Sequence, residues 1–181
     1  REIAEENGLV TAFKPDSQDI CFVPDGNYAE VVKLHSDIPV KSGNFIDIHG
    51  NVVGRHKGII YYTIGQRRGI GISSLHPLYV CRISARNNTV TVGREEDLYS
   101  KMVYADNFNF ISDVYNEPFR CSAKIRYRHK EQPALAIPMD NNCVKIIFDE
   151  PQRAVTPGQS AVLYDGDTVI GGGIIRCETE E

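Results

Sequence analysis

The chain has 181 residues, 41% of them hydrophobic and 24% charged, with a formal net charge of -4. That content supports a buried core in one large domain or two small ones, and no apolar run approaches a membrane span. The five cysteines (Cys21, Cys81, Cys121, Cys143 and Cys177) are odd in number, widely spaced and free of any C-x-x-C pair, which argues against a zinc cage or disulfide framework and for a reduced cytoplasmic protein.

In chain order, "REIAEENGLV" begins without a methionine and reads as the end of a helix stopped by Asn7-Gly8. The expectation is a piece of a longer protein. "FKPDSQDICFVPDG" is a polar turn holding Cys21. "DGNYAEVVKLH" then spaces Tyr28, Val31 and Val32 as a helix would, with Asp25 or Asn27 as its N-cap. "GNFIDIHGNVVG" predicts a hairpin around His49-Gly50-Asn51. "KGIIYYTIGQRRGIGIS" predicts a short buried helix followed by a Gly/Arg loop, and "PLYVCRISARNNTVTVG" a second hairpin turning at Asn87-Asn88.

From about Met102 the texture changes to short strands between turns, as in "FRCSAKIRYR", "ALAIPM" and "CVKIIFD". Asp165-Gly166 signals a hairpin, and Gly171–Gly173 a bulge or close backbone approach. The fold class predicted is a small α/β domain followed by an all-β barrel.

The charge is unevenly placed. Residues 48–94 carry seven basic side chains (Arg55, Lys57, Arg67, Arg68, Arg82, Arg86 and Arg94) and no acid. Such a stretch can form a positive face, or a solvated surface whose counter-charges lie elsewhere in the fold. In "FRCSAKIRYRHK", Phe119, Cys121, Ala123, Ile125 and Tyr127 alternate as a core face. The opposite face carries Arg120, Ser122, Lys124, Arg126 and Arg128, with Lys130 beyond. A cationic stripe beside a tyrosine suits phosphate contact with base or sugar stacking, although an exposed barrel face of long charged side chains has the same pattern. Gln159 is expected as the exposed tip of the Pro157-Gly158 turn.

Cys81, Cys121 and Cys177 fit core positions of strands, and Cys143 is less clear. Cys21 has no strand on its N-terminal side, so the residues leave open a functional cysteine or a buried loop cysteine. His35, His49, His56, His76 and His129 carry no signature linking them to Cys21, which weakens a Cys–His hydrolase. Asp16 and Asp19 lie close in sequence and disfavour a thiolate. The glycine cluster of "TIGQRRGIGIS" fits neither a P-loop nor a G-x-G-x-x-G fingerprint.

Taken together, "DSQDICFVPDGNY", "GIIYYTIGQRRGIGI", "VGREEDLYS", "KIRYRHKEQPA" and "FDEPQRAVTPGQSAVLYDGDTVIGGGII" closely resemble the tRNA-specific 2-thiouridylase family, in one order and over essentially the whole chain. The resemblance is to that family's C-terminal half. It implies that residues 1–30 end the catalytic domain with the cysteine loop, 31–101 form a central linker domain, and 102–181 form a β-barrel resembling those of translation factors. It implies ATP-dependent 2-thiolation of wobble uridine in tRNA. Cys21, in S-Q-D-I-C-F, would carry the incoming sulfur as a persulfide, and Arg126, Tyr127 and Gln159 would contact tRNA. The partners implied are tRNA and a persulfide sulfur-donor protein, with no DNA, no membrane and no metal. The family's S-G-G-x-D-S loop, which binds ATP, and its other catalytic cysteine match nothing in these residues. The expectation is therefore that ATP is held outside this chain, and that the chain alone does not turn over. A tRNA-binding module without chemistry, in which Cys21 is structural, is the alternative.

Overall fold

The computed structural model describes residues 2–10, 12–13, 23, 28–36, 39–111 and 115–176. The chain divides into two compact units, Arg1–Val40 and Lys41–Glu181.

The first unit contains helix α1, Glu2–Glu6, and helix α2, Tyr28–His35. α1 stops where its sequence stops it. Gly8 takes a left-handed φ of 63°, Leu9 N–H donates to the Ala4 carbonyl at 2.9 Å, and Gly8 N–H donates to Glu5 at 2.9 Å. That pair of bonds satisfies the last carbonyls of the helix, and glycine adopts the required conformation without a Cβ penalty. In α2, Glu30 near the start pairs with Lys33 one turn on at 2.8 Å, which also complements the helix dipole. The predicted N-cap of α2, Asp25 or Asn27, lies outside the described residues.

The second unit begins with a four-stranded sheet. Strands β1 (Gly43–Ile46) and β2 (Val52–His56) form one hairpin, and β3 (Tyr79–Ser84) and β4 (Thr89–Gly93) another. β1 pairs in parallel with β4, giving the order β2-β1-β4-β3. Phe45, Tyr62, Ile70, Val80, Val90 and Val92 form its core. The first turn is clamped by Asp47, whose carboxylate accepts from His49 N–H, Asn51 N–H and the Asn51 amide at 2.8–2.9 Å. The Asn51 bonds, foremost among these contacts, hold the Asp47 carboxyl below its usual range.

His56 is a satisfied core histidine. Its Nδ1 accepts from Gly58 N–H at 3.1 Å, so Nε2 carries the proton and donates to the Asn88 carbonyl at 3.1 Å. Its ring packs edge-on against Phe45 and Tyr62. The helix expected over Ile59–Ile64 is a single 3-10 turn, Ile59–Tyr61. Gly58 before it and Gly65 after it, with β-branched Ile59, Ile60, Thr63 and Ile64 between, provide little helical propensity. The chain is already extended at Tyr62.

A short 3-10 turn, Glu95–Leu98, leads into β5 (Tyr99–Phe110). Strands β6 (Phe119–Lys124), β7 (Gln132–Met139), β8 (Cys143–Arg153), β9 (Ser160–Asp165) and β10 (Thr168–Ile175) follow. All pair antiparallel, in the closed order β10-β5-β8-β7-β6-β9. Closure leaves no free sheet edge, and alternate residues fill the interior. Phe148, Ile146, Leu163, Ile175, Val103 and Val144 are its large buried side chains.

The β9–β10 turn holds Gly166 at φ 54°, as its sequence signal requires. The glycine run on β10 is both bulge and close approach. The register shifts on either side of Gly171, and a Cβ at Gly171 would strike the Asn109 carbonyl and stand 2.9 Å from the Phe108 ring. Gly173 is equally confined, 2.8 Å from the Asp106 carbonyl.

Gly171→Ala is expected to cost about 1–3 kcal/mol through overpacking. Gly166→Asn meets open space, keeps a residue that tolerates left-handed φ, and should cost less. Urea midpoints of the two variants check the ordering.

Candidate nucleic-acid interface

Barrel register decides which of the predicted tRNA-contacting residues can meet. β6 runs antiparallel to β9 with Lys124 opposite Val162. Two residues past the end of β6 is Arg126, and just before the start of β9 is Gln159, so both stand at the same end of the barrel. Ile125 remains buried at 2% exposure, the last residue of the core-facing row.

Beyond Ile125 the expected strand stops. His129 N–H donates to the Arg126 carbonyl at 3.0 Å, closing a turn over Arg126–His129. This corrects two expectations. The basic stripe does not continue along one strand, since Arg126 and Arg128 lie in the turn. Tyr127 is not part of the core face, because the reversal leaves it 91% exposed. An exposed ring on a polar turn is available for stacking in a way that a core tyrosine is not.

The cations of the stripe also differ in what they are doing. Arg120 donates two bonds to the Asp149 carboxylate, at 2.8 and 2.6 Å, and is occupied by that planar pairing. The same bonds hold the Asp149 carboxyl below its usual range. Arg126 is half-buried and donates to the Arg153 carbonyl at 3.0 Å, a contact that anchors the side chain without neutralising it. Gln159 is exposed, while its backbone is fixed by Ile175 N–H donating to its carbonyl at 2.8 Å. Burial, and next the Arg126 charge, hold His129 below the ordinary imidazole range. That histidine is therefore less readily charged than an unburied imidazole would be.

Sequence reasoning missed Arg153. It ends β8, accepts from Arg126, places Nε 3.5 Å from Glu95 Oε1, and sets its guanidinium 5.8 Å from the centre of the Tyr79 ring. Nothing in "EPQRAV" marks it, because its partners come from three distant segments. A cavity of about 570 Å³ lies between β3 and the barrel, lined among others by Arg82, Arg86, Tyr99, Tyr104 and Arg176.

Cys21 and Cys177 lie outside the described residues. Among the described residues Cys81, Cys121 and Cys143 are free thiols, no histidine hydrogen-bonds a thiol, and no group of side chains is arranged to hold a metal. Burial, assisted by Asp97, pushes Cys81 up to about 11, and burial pushes Cys121 up to about 11. Cys81 sits where the β3–β4 register shifts, so it is half-buried rather than inside the sheet core. No helix among the described residues is long and apolar enough to cross a membrane.

The glycine-rich turn after the 3-10 turn is not a P-loop-type cradle for a bound nucleotide. It runs into extended chain rather than into the N-terminus of a helix, and the Gln66 side chain closes it on itself.

Two family descriptions match the chain, "tRNA methyl transferase PRC-barrel domain" over residues 33–94 and "Aminomethyltransferase beta-barrel domain" over residues 100–175. Proteins named tRNA-specific 2-thiouridylase MnmA from Acetivibrio thermocellus and Clostridioides difficile are each 53% identical over 177 residues, and one from Halothermothrix orenii is 48% identical. Each alignment covers 97% of this chain and 49% of the relative, so the chain spans about half the length of the curated relatives it matches.

Cys81 and Cys121 should resist alkylation at pH 8. A rise from 9.0 to about 11 leaves roughly a hundredfold less thiolate than an unshifted thiol would have. Peptide mapping after iodoacetamide treatment at stepped pH checks this, with labelling of both expected to climb only toward pH 11.

Proposed function

Since the chain belongs to the tRNA-specific 2-thiouridylase family, we propose that it supplies the sulfur-carrying cysteine and part of the tRNA grip of a tRNA uridine 2-sulfurtransferase. The observation that carries this reading is the alignment of 97% of the chain with relatives of that name, running through the Cys21 segment as well as both folded domains. The geometry of the barrel end supports the grip. Arg126 is anchored but not neutralised, Tyr127 is exposed beside it, and Gln159 stands at the same end. Phosphate contact by the arginine and stacking by the tyrosine are the interactions such a group can make with RNA.

In the proposed reaction Cys21 carries sulfur as a persulfide. The outer sulfur is a better acid and a better nucleophile than a thiol, so the flanking Asp16 and Asp19 are less of an obstacle. It forms a carbon–sulfur bond at C2 of a uridine whose oxygen has been activated and departs. A thiol from a second cysteine then attacks the Cys21 sulfur, and the sulfur–sulfur bond breaks with its electron pair going to the sulfur on C2. Cys21 is left in a disulfide that an external thiol must reduce. Splitting the exchange this way replaces one difficult displacement by easier ones. Activation by ATP and the second cysteine are assigned to no described residue. The donor that loads Cys21 is proposed to be a persulfide-bearing protein, and the setting the reduced cytoplasm.

For the grip, Arg126→Ala should weaken tRNA binding about tenfold and flatten its salt dependence by close to one phosphate contact, whereas Arg120→Ala, whose cation is already spent on Asp149, should leave both nearly unchanged. Equal effects from the two variants would show that general basicity, and not this turn, holds the RNA. For the chemistry, Cys21→Ser in a full-length enzyme carrying this half should abolish 2-thiouridine formation, read by nucleoside mass spectrometry, while tRNA binding persists. Retained thiolation rejects Cys21 as the carrier and leaves the binding module without chemistry.

A further inference from the structure

The basic side chains of residues 48–94 are not equivalent once placed. Lys57 sits 4.3 Å from the centre of the Tyr61 ring, Arg94 faces Glu96 at 3.7 Å, and Arg82 and Arg86 line the cavity beside the barrel. Arg67 and Arg68 stand side by side on an exposed turn, and among the described residues neither has an acidic partner.

That turn is built rather than loose. Thr63 N–H donates to Gln66 Oε1 at 3.0 Å, and the Gln66 amide donates onward to the Arg68 carbonyl at 2.8 Å. Gly65 and Gly69 take φ values of 87° and 77°, which permit the two reversals. Gly65 N–H donates to the Val80 carbonyl at 2.7 Å and Val80 N–H donates to Gln66 at 2.9 Å, riveting the turn to the buried end of β3.

The same turn abuts the barrel. A Cβ at Gly65 would lie 3.3 Å from the Ala154 methyl and 3.6 Å from an Arg153 guanidinium nitrogen. Arg153 is also the residue whose carbonyl anchors Arg126. The Arg67-Arg68 turn and the Arg126–His129 turn therefore meet at one residue, although about sixty positions separate them in sequence. Arg153 has Glu95 beside it, so the arginines on the two flanking turns are the ones left to face an external anion.

We propose that Arg67 and Arg68 form a second phosphate-contact site, continuous with Arg126 across Arg153, so that one RNA backbone bridges the sheet and the barrel. This rests on the tRNA-binding reading and extends it to residues that reading does not assign. Two adjacent guanidinium groups on a preformed turn suit successive backbone phosphates, and they carry no base information.

The test measures binding of an unmodified tRNA transcript to the 181-residue chain at several salt concentrations. Arg67→Ala/Arg68→Ala should weaken binding at least tenfold and reduce the slope of log K against log salt by about 1.5, as expected for two lost phosphate contacts. Arg67→Lys/Arg68→Lys keeps the charge and should restore most of the slope. An unchanged slope in the alanine pair, with Arg126→Ala still lowering it, overturns the second site and leaves the barrel grip standing. A Lys pair that behaves like the Ala pair overturns the phosphate assignment by removing charge as the cause. If the unsubstituted chain binds no tRNA, the tRNA-binding reading itself fails and takes this site with it.

Discussion

The barrel closes only because β10 can lie against the backbone of β5. Gly171 and Gly173 have no room for a Cβ beside Phe108, Asn109 and Asp106, so this seam is set by backbone contact and not by side-chain fit. Once β10 is held there, β9 is placed by its hairpin, and β6 by its pairing with β9. The end of β6 and the start of β9 then coincide at one rim. A glycine run at one side of the barrel thus determines where Arg126 and Gln159 sit at another.

A second consequence concerns the neighbouring sheet. Ala154 N–H donates to the Leu98 carbonyl at 2.8 Å, Arg153 reaches Glu95 and Tyr79, and Gly65 backs onto Ala154. All four contacts fall where β8 ends. The sheet and barrel are joined through a short segment in which Ala154 adopts a left-handed φ of 54°, a conformation alanine accepts at a cost. Strain at that point is offset by the bonds converging on it, and the convergence brings two basic turns together.

Much of this fold was legible in the sequence because its signals are local. His49-Gly50-Asn51, Asn87-Asn88 and Asp165-Gly166 each signal a turn through side-chain bonding or backbone freedom, and each marks a hairpin in the structure. The family's motifs directed attention to Cys21, Arg126, Tyr127 and Gln159. What the sequence could not convey was non-local. Alternation predicted that Tyr127 would continue the row of Phe119, Cys121, Ala123 and Ile125, because period-2 patterning gives no warning of a reversal formed by one backbone bond. Equal spacing made Arg120 and Arg126 look alike, and they are separated by Asp149 on a different strand and by the turn that carries Arg126. Arg153 was invisible for the same reason.

The strand order also bears on how the protein is made. β10, the last of the barrel strands, seals β5 to β9, and β5, the first of them, pairs with β8 and β10 but with no strand that follows it directly. While the chain emerges from the ribosome, β7–β8 and β9–β10 can form as hairpins, yet the cylinder has open edges until Ile175 is free. Long-range pairing of this kind is slow and leaves strand edges exposed to other chains. Completion of the barrel therefore waits for β10, and the rim that carries Arg126 and Gln159 comes into being only with it.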